Sequence, residues 1–376
     1  MKFVFHTNVI SPHQIPLARE LVRILGEENY RYVYDEPVST GRKLLGWGSS
    51  DDAWLLCAAD YPSEARELCE NCECLFSGVR EFSLFKKRLR SGLKTAYVSE
   101  RWFKPLPRNG QPKWLRFLPE IALPGWLRLI VPSYFKMAKN VARLIKRFPA
   151  FIYYGYGKWA VKDMRAICRL FGVDKAIIEE RVRLWGYFVE PSRIAQENCS
   201  GLRNNGSSQM SVLWVGRFLR WKRVDTIIRA VRAANTELGR VAFRLDLYGI
   251  GAEETSLKKV ADNDHAVTFH GPVEIAEVRN LMHTHDIYVL ASDGREGWGA
   301  VVNESIEERM AVLGTYEAGA SLTLLPKSCL FHAGDWQALV RLLIGCYQKS
   351  QKLACVGSEW TPAGAAKRIA DQLARP

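Results

Sequence analysis

The chain lacks any apolar run long enough to cross a bilayer. Its most apolar piece, IALPGWLRLIVPSYF, is too short and carries Arg128 and two prolines, a composition suited to lying on a membrane. The start, MKFVFHTNVISPHQ, has no export signal, because His6 and Asn8 interrupt its short apolar run. Nine cysteines are scattered without the spacing of a disulfide framework. Three of them, Cys69, Cys72 and Cys74, cluster in CENCEC, but no second pair or nearby histidine completes a metal set, so they read as helix-end thiols. A reducing cytoplasm and no metal site are expected.

Acidic residues are scarce between Lys86 and Arg147, where sixteen Lys or Arg face only Glu100 and Glu120. That surplus matches the net charge of +13 carried by all 376 residues. Trp102, Phe103, Trp114, Phe117, Trp126, Tyr134 and Phe135 are interleaved with the cations. Charge and aromatics together point to an anionic, partly apolar partner, best met by the inner face of a cell membrane touched peripherally through residues 86–147. A solvated basic face over core aromatics is the plainer reading. Nucleic acid is disfavoured, since no nucleic-acid motif accompanies the charge.

The length suits two domains. In the first half, KFVFHTNVI, a helical pattern near residues 15–26, YRYVYDEP, AWLLCAA, CLFSGV and KTAYVSER alternate as strands and helices do in βαβ units. The basic window interrupts this rhythm as an insert. KWAVKDMRAICRLFG then reads as an amphipathic helix and RVRLWGYFVEP as the last strand of a domain over 1–190. Residues 191–209, rich in Gly, Ser and Asn, form the expected linker. A second α/β domain over 210–355 follows: MSVLWVGRF, a helix from about Lys222 to Leu238, FRLDLYGIG, a helix through Val260, AVTFHG, a short helix, and DIYVLASDG. The closing helix in 356–376 fits against either half.

In parallel sheets ligands bind beyond the carboxyl ends of the strands, which collects Gly216, Arg217, Gly249, Gly251, Gly271, Asp293 and Glu296 on one side. The segment LASDGREGWGAVVNES places Glu296 in a glycine turn and Glu304 in the helix that follows. Amides at a helix start favour phosphate, and carboxylates favour hydroxyls, so the segment suits a sugar, a diphosphate and a ribose. Arg217 and Lys222 supply a planar fork and a point charge for the diphosphate without a metal. Surface cations and a solvated glutamate face remain the plainer alternative for these groups. Asp262 and Asp264 in ADNDHA imitate a metal-binding Asp-x-Asp but lie where turn residues lie.

The order VGRF, Lys222, LYGIG, FHGPV, DIYVLASDGREGWGAVVNES and CLFHAGDWQAL resembles the C-terminal domain of a family 4 glycosyltransferase over residues 210–350. The most specific element is the pair of glutamates with seven residues between them. SPHQIPLARELVRIL, YVSERWF and GYGKWAVKD resemble the bacterial members that build surface polysaccharides. The resemblance implies a GT-B fold, two Rossmann-like domains facing a cleft, with the acceptor on the N-terminal domain. It also implies a nucleotide-sugar donor on the C-terminal domain, and transfer of a hexose with retention to a glycan, lipid-linked in the leading reading. Carried over, the donor site comprises Gly216, Arg217, Lys222, Gly249, Gly251, Glu296, Gly297, Trp298, Gly299 and Glu304. Arg217 and Lys222 hold the diphosphate, Glu296 the sugar and Glu304 the ribose, with His13 beside the reaction centre. No cofactor or protein base is implied, the departing phosphate taking the acceptor's proton. Three features depart from the family pattern: HTNVISPHQ has no glycine, SIEERMAVLG follows Glu304 where small residues and a glycine are usual, and TYEAGASLTLLPKSC is compressed. They leave open a binding or regulatory subunit that assists a partner transferase.

Overall fold

In the computed structural model of the chain, residues 1–39, 52–105, 125–192, 209–348 and 357–373 are described. The N-terminal half is built on seven parallel strands: β1 (Phe3–Thr7), β2 (Tyr30–Tyr34), β3 (Leu55–Cys57), β4 (Cys74–Ser77), β5 (Lys94–Ser99), β6 (Phe151–Tyr156) and β7 (Val182–Trp185). Their spatial order is β3, β2, β1, β4, β5, β6, β7. The C-terminal half has six: β8 (Met210–Val215), β9 (Phe243–Tyr248), β10 (Val267–His270), β11 (Ile287–Leu290), β12 (Ala311–Thr315) and β13 (Leu330–Phe331), ordered β10, β9, β8, β11, β12, β13. Both orders double back beside the first strand of the half, which opens a crevice at the carboxyl ends of β1 and β8.

Strands of this kind are buried on both faces, so they read as continuous apolar runs. In β1, Phe3 and Phe5 enter one core while Val4 enters another on the opposite face. The first of these cores runs on through Trp185, Phe188, Trp360 and Trp298 into the C-terminal half, so apolar packing joins the two domains.

Two sequence expectations need revision, and one left open is settled. Residues 86–147 are not an insert: they contain the end of helix Phe82–Arg90, the central strand β5, and helix Pro132–Arg147. Part of their charge is internal, for Arg88 is buried and its guanidinium donates to the carbonyl oxygens of Cys69, Glu70, Cys72 and Lys94. A buried guanidinium has five donors to satisfy, and these carbonyls surround it. The same burial pushes the Cys69 thiol up to about 12. The helix expected from Lys222 begins at Val224, because Arg223 takes the left-handed φ of 50° and leaves Lys222 in a short turn, Arg220–Lys222. The closing helix, Pro362–Leu373, lies against helix Ile15–Leu25 of the N-terminal half, and Lys94 Nζ donates to the carbonyls of Gln372 and Leu373. The expected linker falls almost wholly on residues 193–208, outside the described residues.

Asp262 and Asp264 are turn residues. Both carboxylates bind Arg232, and Asp264 also accepts from the amide of Ala266. At the other edge of the same strands, Asp246 accepts from His270 at 2.7 Å, and His285 lies at 3.4 Å. The His285 hydrogen bond is the main force holding the Asp246 carboxyl below the usual range, with His270 adding to it. A depressed folded value means stabilisation that is complete above the ordinary aspartate value of about 4 and is lost as pH falls through the folded value. Asp246→Asn is therefore expected to cost about 2 kcal/mol at pH 7. Urea midpoints measured down to acid pH should show the gap to wild type closing below about pH 4; a gap constant with pH would exclude this ionic role.

Candidate active site

Three loops, at the carboxyl ends of β8, β9 and β11, form the C-terminal side of the candidate site. After β8 come Gly216, Arg217 and the turn holding Lys222; after β9 come Gly249 and Gly251. These glycines serve loop packing: a Cβ on Gly249 would stand 1.8 Å from the carbonyl oxygen of Gly216, and one on Gly251 would stand 2.4 Å from that of Phe218. Any side chain there would separate the two loops. Arg217 is exposed at the end of β8.

After β11 the chain makes a side-chain-braced turn. Asp293 accepts from the amide of Arg295 at 2.9 Å and from its guanidinium, and the amide of Glu296 donates to the carbonyl of Asp293. The turn aims Glu296 inward, where it is 9% exposed. Its Oε2 accepts from Lys222 Nζ at 2.5 Å and from Ser292 Oγ at 2.9 Å. Ser292 is itself held by Thr315, whose hydroxyl donates to its carbonyl at 2.6 Å. A cation and a carboxylate thus meet from loops 74 residues apart. Lys222 also lies over the Trp221 ring at 4.5 Å.

Gly299, at φ 89°, turns the chain into helix Val301–Glu307. Trp298 just before it is buried to 1%, and its indole donates to Asn303 at 2.8 Å. The amide of Asn303 donates in turn to the carbonyl of Tyr187 in the N-terminal half. The Trp298 side chain therefore packs within the protein and braces the glutamate loop. Gly297 sits against Glu100 of the N-terminal half: a Cβ there would lie 2.1 Å from the Glu100 carboxylate.

Glu304 projects from the helix toward the opposite domain, 3.6 Å from His13 Nδ1. His13 follows β1 and precedes helix Ile15–Leu25, and its ring lies 5.9 Å from that of Tyr187. The residues after Glu304, which depart from the family pattern, are accommodated by pairing. Glu308 is buried and bound by Arg279, His283 and Ser192, while Arg309 takes the left-handed φ of 60° where glycine would be usual.

The two domains also meet where Gly157, at φ 84°, faces Gly319: a Cβ on Gly157 would stand 3.0 Å from the Gly319 Cα. Beside this point Trp159 donates to the carbonyl of Tyr316 at 2.7 Å, and Lys158 to that of Leu322. The opposite wall of the cleft holds a cavity of about 550 Å³ lined by Gln14, Arg80, Glu100, Arg101, Arg128 and Tyr187 among others. None of these six was named as a site residue from the sequence. All follow strands or precede helices of the N-terminal sheet, so the rule that ligands bind beyond strand ends could have found Arg80 after β4 and Glu100 after β5. Among the described residues, no group of three or more His, Cys, Asp or Glu is placed to hold a metal.

Residues 209–349 match the family model described as glycosyl transferases group 1. A 111-residue stretch is 27% identical to the UDP-N-acetylglucosamine–peptide N-acetylglucosaminyltransferase GtfA subunit of Streptococcus pneumoniae; it makes up 30% of this chain and only 22% of that relative. Among solved structures, the Anabaena protein HepE in complex with UDP superposes with a TM-score of 0.59 at 14% identity, over 99% of this chain and 95% of its own. The lipopolysaccharide outer core galactosyltransferase WaaB, solved in its apo form, gives 0.61 at 11% identity over 99% and 98%. Likeness at this identity establishes the architecture, which is the GT-B fold of two facing α/β domains.

Proposed function

We propose that the chain is a retaining glycosyltransferase that moves a hexose from a nucleotide-sugar to a lipid-linked glycan acceptor, without a metal or cofactor. The observation that carries this reading is the Lys222–Glu296 pair at 2.5 Å, mostly enclosed at the carboxyl ends of β8 and β11, where Gly297 sits against Glu100 of the other domain. A glycosyl diphosphate has its charge and its sugar hydroxyls side by side, and this pair offers a cation and an acceptor side by side. With donor bound, Lys222 and Arg217 meet the diphosphate, Glu296 receives sugar hydroxyls and Glu304 receives the ribose. Catalysis then consists of stabilising charge on the departing diphosphate, whose oxygen takes the proton of the incoming hydroxyl. HepE supports the nucleotide half of the reading, since it is described with UDP. A thermal-shift series with nucleoside diphosphates and their sugars tests it: a ligand selective for the native state raises the midpoint. Failure of every one of them to do so would reject the donor site, and an inverted product anomer would reject retention.

Membrane contact rests on the turn Gly125–Ile130 and the helix after it. Trp126 is 57% exposed, Ile130 72% and Val131 52%, and the same helix exposes Lys136, Arg143, Lys146 and Arg147. Apolar tips beside cations suit an anionic lipid surface, the cytoplasmic leaflet of a cell membrane. Among the described residues no helix is long and apolar enough to cross one. Changing Trp126, Ile130 and Val131 together to serine is expected to weaken sedimentation with anionic vesicles about tenfold or more, since each buried apolar group adds to such binding. Unchanged sedimentation would remove the membrane role.

The pneumococcal relative is named as a subunit, which favours a second reading in which this chain binds nucleotide and assists a partner. Nucleotide binding without donor hydrolysis or transfer across a broad acceptor screen would select it.

A further inference from the structure

The cavity on the N-terminal wall has a charge pattern that the donor reading does not use. Of its four cations, two are already neutralised: Lys104 pairs with Glu100, and Arg101 Nε lies 3.7 Å from the buried carboxylate of Asp163. Arg80 and Arg128 differ. Arg80 donates to the Met137 sulfur and Arg128 to the carbonyl of Lys104, and neither has a carboxylate partner among the described residues. Arg128 lies over the Tyr134 ring at 5.9 Å, and Met137, which Arg80 contacts, follows one turn later on the same helix, so both guanidiniums flank the first turns of that helix at the cavity wall. Two planar forks, neither paired with a carboxylate among the described residues, match a dianionic phosphoryl group.

The rest of the cavity is lined for a polar body. Gln14 is 2% exposed; its amide nitrogen donates to the Tyr156 hydroxyl at 2.9 Å, while its Oε1 is buried and accepts no hydrogen bond among the described residues. Such an orphaned acceptor is costly unless a ligand hydroxyl fills it. Glu100 lies where the cavity meets Gly297 of the glutamate loop, so a group seated here has one end at the donor site. The other end is tied to the exposed apolar surface through a single turn: Arg128 lines the cavity, while Trp126 and Ile130 of the same turn are exposed.

We propose that this cavity is a phosphoryl subsite for the acceptor, in which Arg80 and Arg128 hold a phosphate that joins the accepting saccharide to a lipid, and Gln14 receives a saccharide hydroxyl. The proposal rests on the glycosyltransferase reading and names its acceptor class.

The test uses the full chain with UDP in saturating amount, so that phosphate cannot report on the donor site. Binding is measured to phosphatidylcholine vesicles with and without 5 mol% of a long-chain prenyl phosphate, and separately to glucose 1-phosphate and to glucose. Prenyl phosphate is expected to tighten vesicle binding at least tenfold. Arg80→Ala is expected to remove most of that gain, and the Arg80→Gln/Arg128→Gln pair all of it, with UDP affinity unchanged in both. Arg-dependent binding of glucose 1-phosphate without any prenyl phosphate effect would keep the phosphoryl subsite and make a soluble sugar phosphate its ligand. Binding of neither phosphate, equal binding of glucose, or a gain that survives both variants would overturn the proposal. Failure of the wild-type chain to bind UDP would count against uridine as the donor base alone, and the Arg80 and Arg128 dependence of phosphate binding would still decide the subsite.

Discussion

Lys222→Ala is expected to lower glycosyl transfer by about 100- to 1,000-fold, the loss seen when one preorganised group facing developing negative charge is removed. The argument rests on geometry already present without donor: Nζ stands 2.5 Å from Glu296 Oε2, fixed by a short turn and by the Trp221 ring. The charge grows on the departing diphosphate, so the loss should fall mainly on kcat, with a smaller change in donor KM. Glu296→Ala should also be strongly impaired, for it removes the sugar's hydroxyl acceptor and leaves Lys222 without its partner. Because the two side chains touch, their effects should not add; the double variant should be little worse than the weaker single one. Unfolding midpoints should stay near wild type, since Lys222 is partly exposed. Full activity in either single variant would reject this site.

Trp298→Ala is expected to act in the opposite order, on stability first and transfer second. Its ring is fully buried, 5.6 Å from Trp360 and 6.5 Å from Tyr187, and Gly186 has no room for a side chain beside it. Removing so large a side chain costs about 3–5 kcal/mol through lost burial and the cavity left behind. Asn303 would also lose the donor it accepts from while still bonded to Tyr187. Urea denaturation should show the loss directly, and donor affinity should fall because the Glu296 loop loses its brace. Trp298→Phe should restore part of the stability. If Trp298→Ala kept wild-type stability and lost only donor affinity, the indole would be a ligand contact after all.

Much of the site was legible because its signals are local. A parallel strand buried on both faces announces itself by composition, and the residues just beyond its carboxyl end face the ligand side by topology. Arg217, Gly249, Gly251 and Glu296 were placed in this way, and Lys222 was read at the start of the helix that follows β8. Glu304 was legible as a helical residue because the two glycines and the apolar Ala300, Val301 and Val302 mark the helix start. Strand β6, FIYYGY, was passed over: it lies directly against a helical pattern on each side, and its aromatic residues carry no clean alternation. Reading residues 86–147 as an insert failed for a related reason. Net charge is a property of composition, and composition does not say that Arg88 lies inside, ringed by carbonyls.

By itself, the sequence determined the alternation of strands and helices, the end of each sheet at which the strand-to-helix loops lie, and the presence there of two cations and two carboxylates. Periodicity and turn chemistry act over a few residues, so they survive without knowledge of the fold. Tertiary structure alone decided which groups meet, Lys222 with Glu296 and His13 with Glu304, and set Arg80 and Arg128 around one cavity. It also turned Trp298 inward and sent the closing helix back to the first domain. Those outcomes depend on packing between segments far apart in the chain, where shape and satisfied hydrogen bonds select one arrangement from many that the same local pattern allows.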